Sequence, residues 1–199
     1  SSEVIYELGE ADKTVGNLVN YLTTKNLRDS VDIVIVSDHG MANTSPERVI
    51  VLSDLSPHLP QAAVIWTGAF GGIEIDPSQA DVTLAHLKQA EHMACWRKAK
   101  IPARFQFGTH RRIPEIFCLA DMGWTIINKP GAPIVPGQHG YDPASPEMRA
   151  FFLASGPGIK KLKLGIFKNT EVYSLICRLV GIKPENKNSG AQLARRILR

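Results

Sequence analysis

The chain has 199 residues, with 23 basic and 19 acidic side chains and a formal charge of +4. So mild an excess sets aside a nucleic-acid-binding role, whose domains concentrate far more positive charge on one face. Apolar residues make up 44%, and no apolar run approaches the ~18 residues of a membrane span, so the composition is that of a globular domain with one buried core.

The opening Ser1-Ser2-Glu3-Val4 is polar and acidic, lacks an initiator Met and has no basic n-region, so the chain is expected to be processed or a fragment. Residues 12 to 26 place Val15, Leu18, Val19 and Leu22 at helical spacing and predict an amphipathic helix. A short polar connection, Asn26 to Ser30, leads into Val31–Ser37, whose β-branched run predicts a buried strand of a mostly parallel sheet. Arg48–Leu52 and Ala62–Thr67 are β-rich, and Gly71-Gly72 introduces Ile73-Glu74-Ile75 as an edge or hairpin strand. Residues 78 to 93 read as a helix carrying His86 and His92, six apart and so on different faces.

Cys95 to Arg112 is irregular, aromatic and basic. Its arginines suit either phosphate oxygens or a brace against the domain surface. Ile113–Ala120 and Trp124–Ile127 alternate as strands of a small antiparallel sheet, and Met148–Ala154 is another apolar strand. Asn169 or Thr170 caps the last clear helix, Val172 to Leu179, which Gly181 stops; a polar loop over 183–189 and a final helical turn follow. Lys160, Lys161 and Lys163 read as solvated surface. Cys95, Cys118 and Cys177, odd in number and widely spaced, predict neither a zinc knuckle nor a disulfide framework, and Cys118 and Cys177 read as small core residues.

The chemistry concentrates at two glycine-flanked corners. Ser37-Asp38-His39-Gly40-Met41 follows the 31–37 strand, at the end where open α/β sheets place ligands. Asp and His are donors that Zn²⁺ accepts, although an Asp-His pair after a strand also suits the first turn of a helix. Gly137-Gln138-His139-Gly140-Tyr141-Asp142 lies on a Pro-stiffened loop, where glycines permit close backbone approach to a ligand.

Together, Val34-Ile-Val-Ser-Asp-His-Gly-Met41, Gly137-Gln-His-Gly-Tyr-Asp-Pro143 and Met148-Arg-Ala-Phe-Phe-Leu153 resemble the nucleotide pyrophosphatase/phosphodiesterase (type I phosphodiesterase) family of the alkaline phosphatase superfamily. Cys95-Trp-Arg-Lys98, Ile101-Pro-Ala-Arg104, Gly108-Thr-His-Arg-Arg-Ile-Pro114, Ala120-Asp-Met-Gly-Trp124 and Val172 through Gly181 extend the likeness to bacterial members. The resemblance implies an alkaline-phosphatase-like three-layer α/β sandwich, incomplete here. Its central sheet would be mostly parallel with a small antiparallel subregion, and residues 1–199 would form the C-terminal portion of the catalytic domain. It implies two Zn²⁺ ions, with Asp38 and His39 on one, His139 on the other, and Asp142 behind the ligands.

The implied activity is hydrolysis of phosphodiester and pyrophosphate bonds in small-molecule nucleotides and related diesters, releasing nucleoside 5′-monophosphates. The covalent intermediate would form on a threonine that precedes the SDHGM motif in the family; Thr44 and Ser45 do not match that position. A lysophospholipid or glycerophosphodiester specificity, and an inert truncated product, are the alternatives. No specific nucleic-acid partner is implied, and a periplasmic or secreted location is expected from the family.

Overall fold

The computed structural model describes residues 1–185 and 190–199, so the centre of the polar 183–189 loop lies outside the described residues. The elements begin with α1 (Ser2–Thr24), β1 (Ile33–Val36), β2 (Ala42–Asn43), β3 (Val49–Val51), α2 (Leu52–Leu55), β4 (Val64–Trp66), β5 (Phe70–Ile73), α3 (Ala80–Leu87) and β6 (Met93–Arg97). They continue with β7 (Ile116–Ala120), β8 (Thr125–Ile127), β9 (Gly137–Gln138), β10 (Phe152–Ser155), α4 (Glu171–Leu179) and α5 (Gln192–Ile197). Two compact units result: Ser1–Asp38 with Phe151–Arg199, and His39–Ala150.

In the first unit α1 begins well before residue 12, because the Ser1 hydroxyl accepts the Val4 N–H and caps an earlier start. Leu22 is buried and Val15 and Val19 partly so, as the spacing predicts, whereas Leu18 stays exposed. β1 pairs antiparallel with β10, Val34 opposite Ala154; Ile33, Val34 and Ile35 are half-buried and Val36 is exposed. This corrects the buried strand with parallel neighbours. β-Branching favours extended backbone but carries no information about the direction of the partner. Ser37 finishes the ladder: its N–H donates to the Phe151 carbonyl (3.0 Å), and its hydroxyl accepts the Phe151 N–H (2.7 Å). α4 and α5 bury Leu175, Leu193, Ala194 and Ile197 against Phe152 and Ala154. Gly181, at φ +73°, supplies the left-handed residue that ends α4.

The second unit is built on an antiparallel sheet ordered β4-β5-β7-β6. Beside this sheet β3 runs parallel to β8, and β2 pairs antiparallel with β9. The chain is therefore α/β with mixed sheets, and β3–β8 is the one parallel pairing among the described strands. Gly71 and Gly72 lie inside β5 rather than ahead of it, and β5 is an interior strand that forms a hairpin with β4, the second of the two expected alternatives. A Cβ at Gly72 would meet the Trp66 ring and Pro114, so a side chain there would displace the packing over the strand. The helix expected over 78–93 shortens to α3, and the segment expected to be irregular from Cys95 starts as strand β6. Alternating burial of Met93 and Cys95 against the core outweighs helix propensity there.

The β6–β7 register sets Cys95 directly opposite Cys118, and the two form a disulfide, while Cys177 is free and buried. This overturns the expectation of unpaired cysteines. A separation of 23 residues gives no spacing motif, and only strand pairing makes them neighbours. Thiol titration of the unfolded chain without reductant should find one reactive cysteine, rising to three after reduction. Cys95→Ser with Cys118→Ser should lower unfolding stability by about 3 kcal/mol, measured by urea denaturation.

Candidate active site

Each of the two corners is a histidine followed by a glycine that has no space for a side chain. At the first, the Gly40 N–H donates to the Met148 carbonyl (3.1 Å), and a Cβ on Gly40 would overlap the Glu147 carbonyl oxygen. At the second, Gly140 sits at φ +98° with a Cβ position 2.8 Å from the Phe70 ring. His39 and His139 lie face to face, ring centroids 3.7 Å apart and planes 15° from parallel. Pairing of Ala42 with Gln138 in β2 and β9 supplies the register: one residue lies between Ala42 and Gly40, and His139 directly follows Gln138.

His39 Nδ1 lies 2.8 Å from the Gly40 carbonyl oxygen. A carbonyl has no proton to give, so Nδ1 donates, which in the neutral imidazole puts the lone pair on Nε2. That is the tautomer in which an imidazole binds a metal through Nε2 while a backbone oxygen fixes the ring. The donor types fit zinc. Their number is small: among the described residues no three His, Cys, Asp or Glu side chains gather around one point.

Asp38 is the last residue of the first unit, exposed at the end of β1. Its carbonyl oxygen accepts the side-chain amide of Asn169 (2.8 Å). Asn169 thus steadies the Asp38 backbone instead of capping α4, whose N-cap Thr170 makes no side-chain bond.

Asp142 is half-buried and faces Arg104, which donates two parallel bonds to its carboxylate at 2.8 and 2.6 Å; the Ala144 N–H adds a third. The guanidinium and its hydrogen bonds hold the Asp142 carboxyl below the ordinary aspartate range. Tyr141 is buried and donates its hydroxyl to the Trp124 carbonyl (2.9 Å), with burial pushing the phenol up and keeping it protonated.

The basic segment after Cys95 divides its work. Arg97 bridges Glu115 (2.6 Å) and Asp81 (2.7 Å), and Lys98 reaches the other oxygen of Glu115 (3.3 Å). Together with Arg104 these residues brace the unit. Thr44 is likewise occupied, its hydroxyl donating to the Val135 carbonyl. Arg104 and Asn169 were not readable as partners of this region, since 38 and 131 residues separate them from Asp142 and Asp38. Arg104 in Ile101-Pro-Ala-Arg104 was visible as part of a motif, but its partner was not.

The type I phosphodiesterase / nucleotide pyrophosphatase family model matches residues 1–142. The chain belongs to that family. Among its relatives, an uncharacterized pyrophosphatase/phosphodiesterase of Schizosaccharomyces pombe is 32% identical, spanning 96% of this chain and 42% of that protein. The bis(5′-adenosyl)-triphosphatase ENPP4 of Bos taurus is 34% identical across 91% of this chain and 40% of its own length. The venom phosphodiesterase of Naja atra is 31% identical across 94% of this chain and 24% of its own. Human ectonucleotide pyrophosphatase/phosphodiesterase 5 superposes with a TM-score of 0.87 at 28% identity, covering 96% of this chain and 51% of that one. An inactive murine counterpart in complex with AMP superposes equally well. This family member thus has the alkaline-phosphatase-like α/β fold and spans about half or less of the length of the relatives it matches.

Two outcomes follow from the geometry. Gly40→Ala and Gly140→Ala should each cost about 1–3 kcal/mol, as overpacked positions do, and should shift the imidazole resonances of both His39 and His139 in NMR spectra. Because the Asp142 carboxyl is lowered in the folded chain, the small, solvent-screened stabilisation from its pairing with Arg104 is present at neutral pH and is lost as pH falls through that lowered value. A carboxyl NMR titration should therefore place Asp142 below the exposed aspartates, and Arg104→Ala should return it toward them.

Proposed function

We propose that this chain contributes Asp38 and His39 as ligands to one zinc and His139 as a ligand to a second, in a phosphodiesterase that cleaves nucleotide phosphodiester and pyrophosphate bonds and releases nucleoside 5′-monophosphates. The observation that carries the reading is the stacking of His39 on His139, with His39 Nδ1 committed to the Gly40 carbonyl. Two imidazoles from corners a hundred residues apart lie against each other where both are partly or fully exposed to solvent, outside the buried core. The relatives' names point the same way: pyrophosphatase/phosphodiesterase, bis(5′-adenosyl)-triphosphatase and a murine relative bound to AMP.

The chain's own residues have distinct tasks in this reading. The Gly40 carbonyl holds His39 by Nδ1, so Nε2 would be the atom to hold the metal, and Asn169 holds the backbone from which the Asp38 carboxylate extends. Asp142 stands three residues after His139 on the same loop, behind the ligands. Bound zinc supplies positive charge against the anionic phosphoryl oxygens and eases deprotonation of the attacking hydroxyl. That hydroxyl would belong to a threonine outside this chain; its oxygen would bond phosphorus as the bond to the leaving alcohol or phosphate breaks, and water would then release the nucleoside 5′-monophosphate and restore the threonine. The Cys95–Cys118 disulfide, with relatives named ectonucleotide and venom enzymes, supports an exported location.

A polypeptide carrying the rest of the catalytic domain provides the test. His139→Ala should lower diesterase activity roughly 10²-fold, with loss of about one zinc by metal analysis. Unchanged zinc content would remove His139 from the site. Turnover of glycerophosphocholine but not of p-nitrophenyl thymidine monophosphate would replace the nucleotide assignment with the phospholipid-headgroup one. The 199-residue chain alone, with three of the donors, should bind zinc weakly and hydrolyse neither ester; zinc-dependent hydrolysis by it would refute the assignment of the nucleophile.

A further inference from the structure

We propose that Arg104 is a positioning residue for His139, acting through the Asp142 carboxylate to fix the loop on which the imidazole stands. The inference rests on the reading of His139 as a metal ligand and adds a residue to which no role in the reaction has been assigned.

After Gln138 leaves β9, residues 139–145 contain no helix or strand. The His39–His139 ring stack is too weak to place a loop alone, so its position comes from anchors on either side. Before His139 the anchor is the Ala42–Gln138 pairing. After it there are two, of different kinds. Tyr141 is buried and bonded to the Trp124 carbonyl, which ties the loop to the core. Asp142 is clamped by the fork of Arg104, whose side chain is 57% exposed against 30% for Asp142.

Two parallel bonds to a planar carboxylate restrict rotation as well as distance, which a single Tyr141 bond does not. Arg104 is itself held. It follows Pro102 in a short turn closed by the Phe105 N–H on the Pro102 carbonyl (3.0 Å), and its guanidinium lies 4.0 Å from the Phe105 ring centroid. Phe105 packs edge-on against Trp96 of β6. A continuous path thus runs from a sheet strand through Trp96, Phe105 and Arg104 to Asp142, three residues from His139.

Exposure distinguishes this role from a purely structural one. A solvent-accessible ion pair contributes little to global stability, so removing it should loosen the loop without unfolding the unit. Arg104 also differs from a phosphate clamp, because its donors toward Asp142 are already committed.

The experiment compares Arg104→Ala, Arg104→Lys and His139→Ala with the unaltered protein. In the metal-free 199-residue chain, Arg104→Ala should speed amide hydrogen exchange over 139–145 by on the order of tenfold, leaving β7 and the melting temperature unchanged. Lysine, a point donor without the fork, should restore only part of the protection. In a polypeptide carrying the rest of the domain, Arg104→Ala should raise the zinc concentration needed for half-maximal activity by roughly tenfold or more. Its KM for p-nitrophenyl thymidine monophosphate should be unchanged at saturating zinc.

Unaltered exchange in Arg104→Ala would overturn the proposal, as would a raised KM that zinc does not correct, which marks a substrate clamp. A general fall in melting temperature would reduce Arg104 to a stabilising residue and overturn it equally. Zinc retained by His139→Ala would instead defeat the ligand reading, whatever the exchange experiment on Arg104 shows.

Discussion

Neither histidine corner has space for a Cβ at the residue that follows the imidazole. At Gly40 the obstacle is a backbone carbonyl, which cannot rotate aside as a side chain can; at Gly140 it is an aromatic ring, compounded by a left-handed backbone. Close approach of this kind seats each corner on the second unit, Gly40 against the 147–149 backbone and Gly140 against Phe70. The β2–β9 pairing then sets the register between the two corners, within which the imidazoles stack and His39 Nδ1 bonds the Gly40 carbonyl. The second unit's core supplies the backing, since Phe70 and Met148 belong to the same apolar cluster as Tyr141.

Charge is organised in the same economical way. The basic segment after Cys95 has acidic partners within its own unit: Asp81 and Glu115 for Arg97, and Asp142 for Arg104. Glu115 is the buried member, at 6% exposure, and two cations on its two oxygens offset the cost of taking a carboxylate out of water. These arginines therefore shape the scaffold around the histidines, and the electrostatics nearest the site is a loop-bracing ion pair.

Where the elements departed from expectation, tertiary packing outweighed local preference. The glycines of β5 suggested a break before a strand, yet they sit within an interior strand because Trp66 and Pro114 occupy the space over it. β6 takes residues whose composition suited a helix end and a loop, because Met93 and Cys95 fill the core from a strand. The direction of β1's partner was equally unreadable, since an apolar run looks the same beside a parallel or an antiparallel neighbour.

The sequence by itself determined the family, the α/β class and the glycine that ends α4, and it named the four residues proposed for the site. Each rests on residues adjacent in the chain, where motif order, side-chain period and backbone permissiveness operate over a few positions. Only the tertiary structure decided which residues meet across distance. It paired Cys95 with Cys118, set Arg104 on Asp142 and Asn169 on the Asp38 carbonyl, and laid His39 against His139. The physical reason is common to all four: a contact between segments far apart in the chain is fixed by strand register and core packing, and no local spacing carries that information.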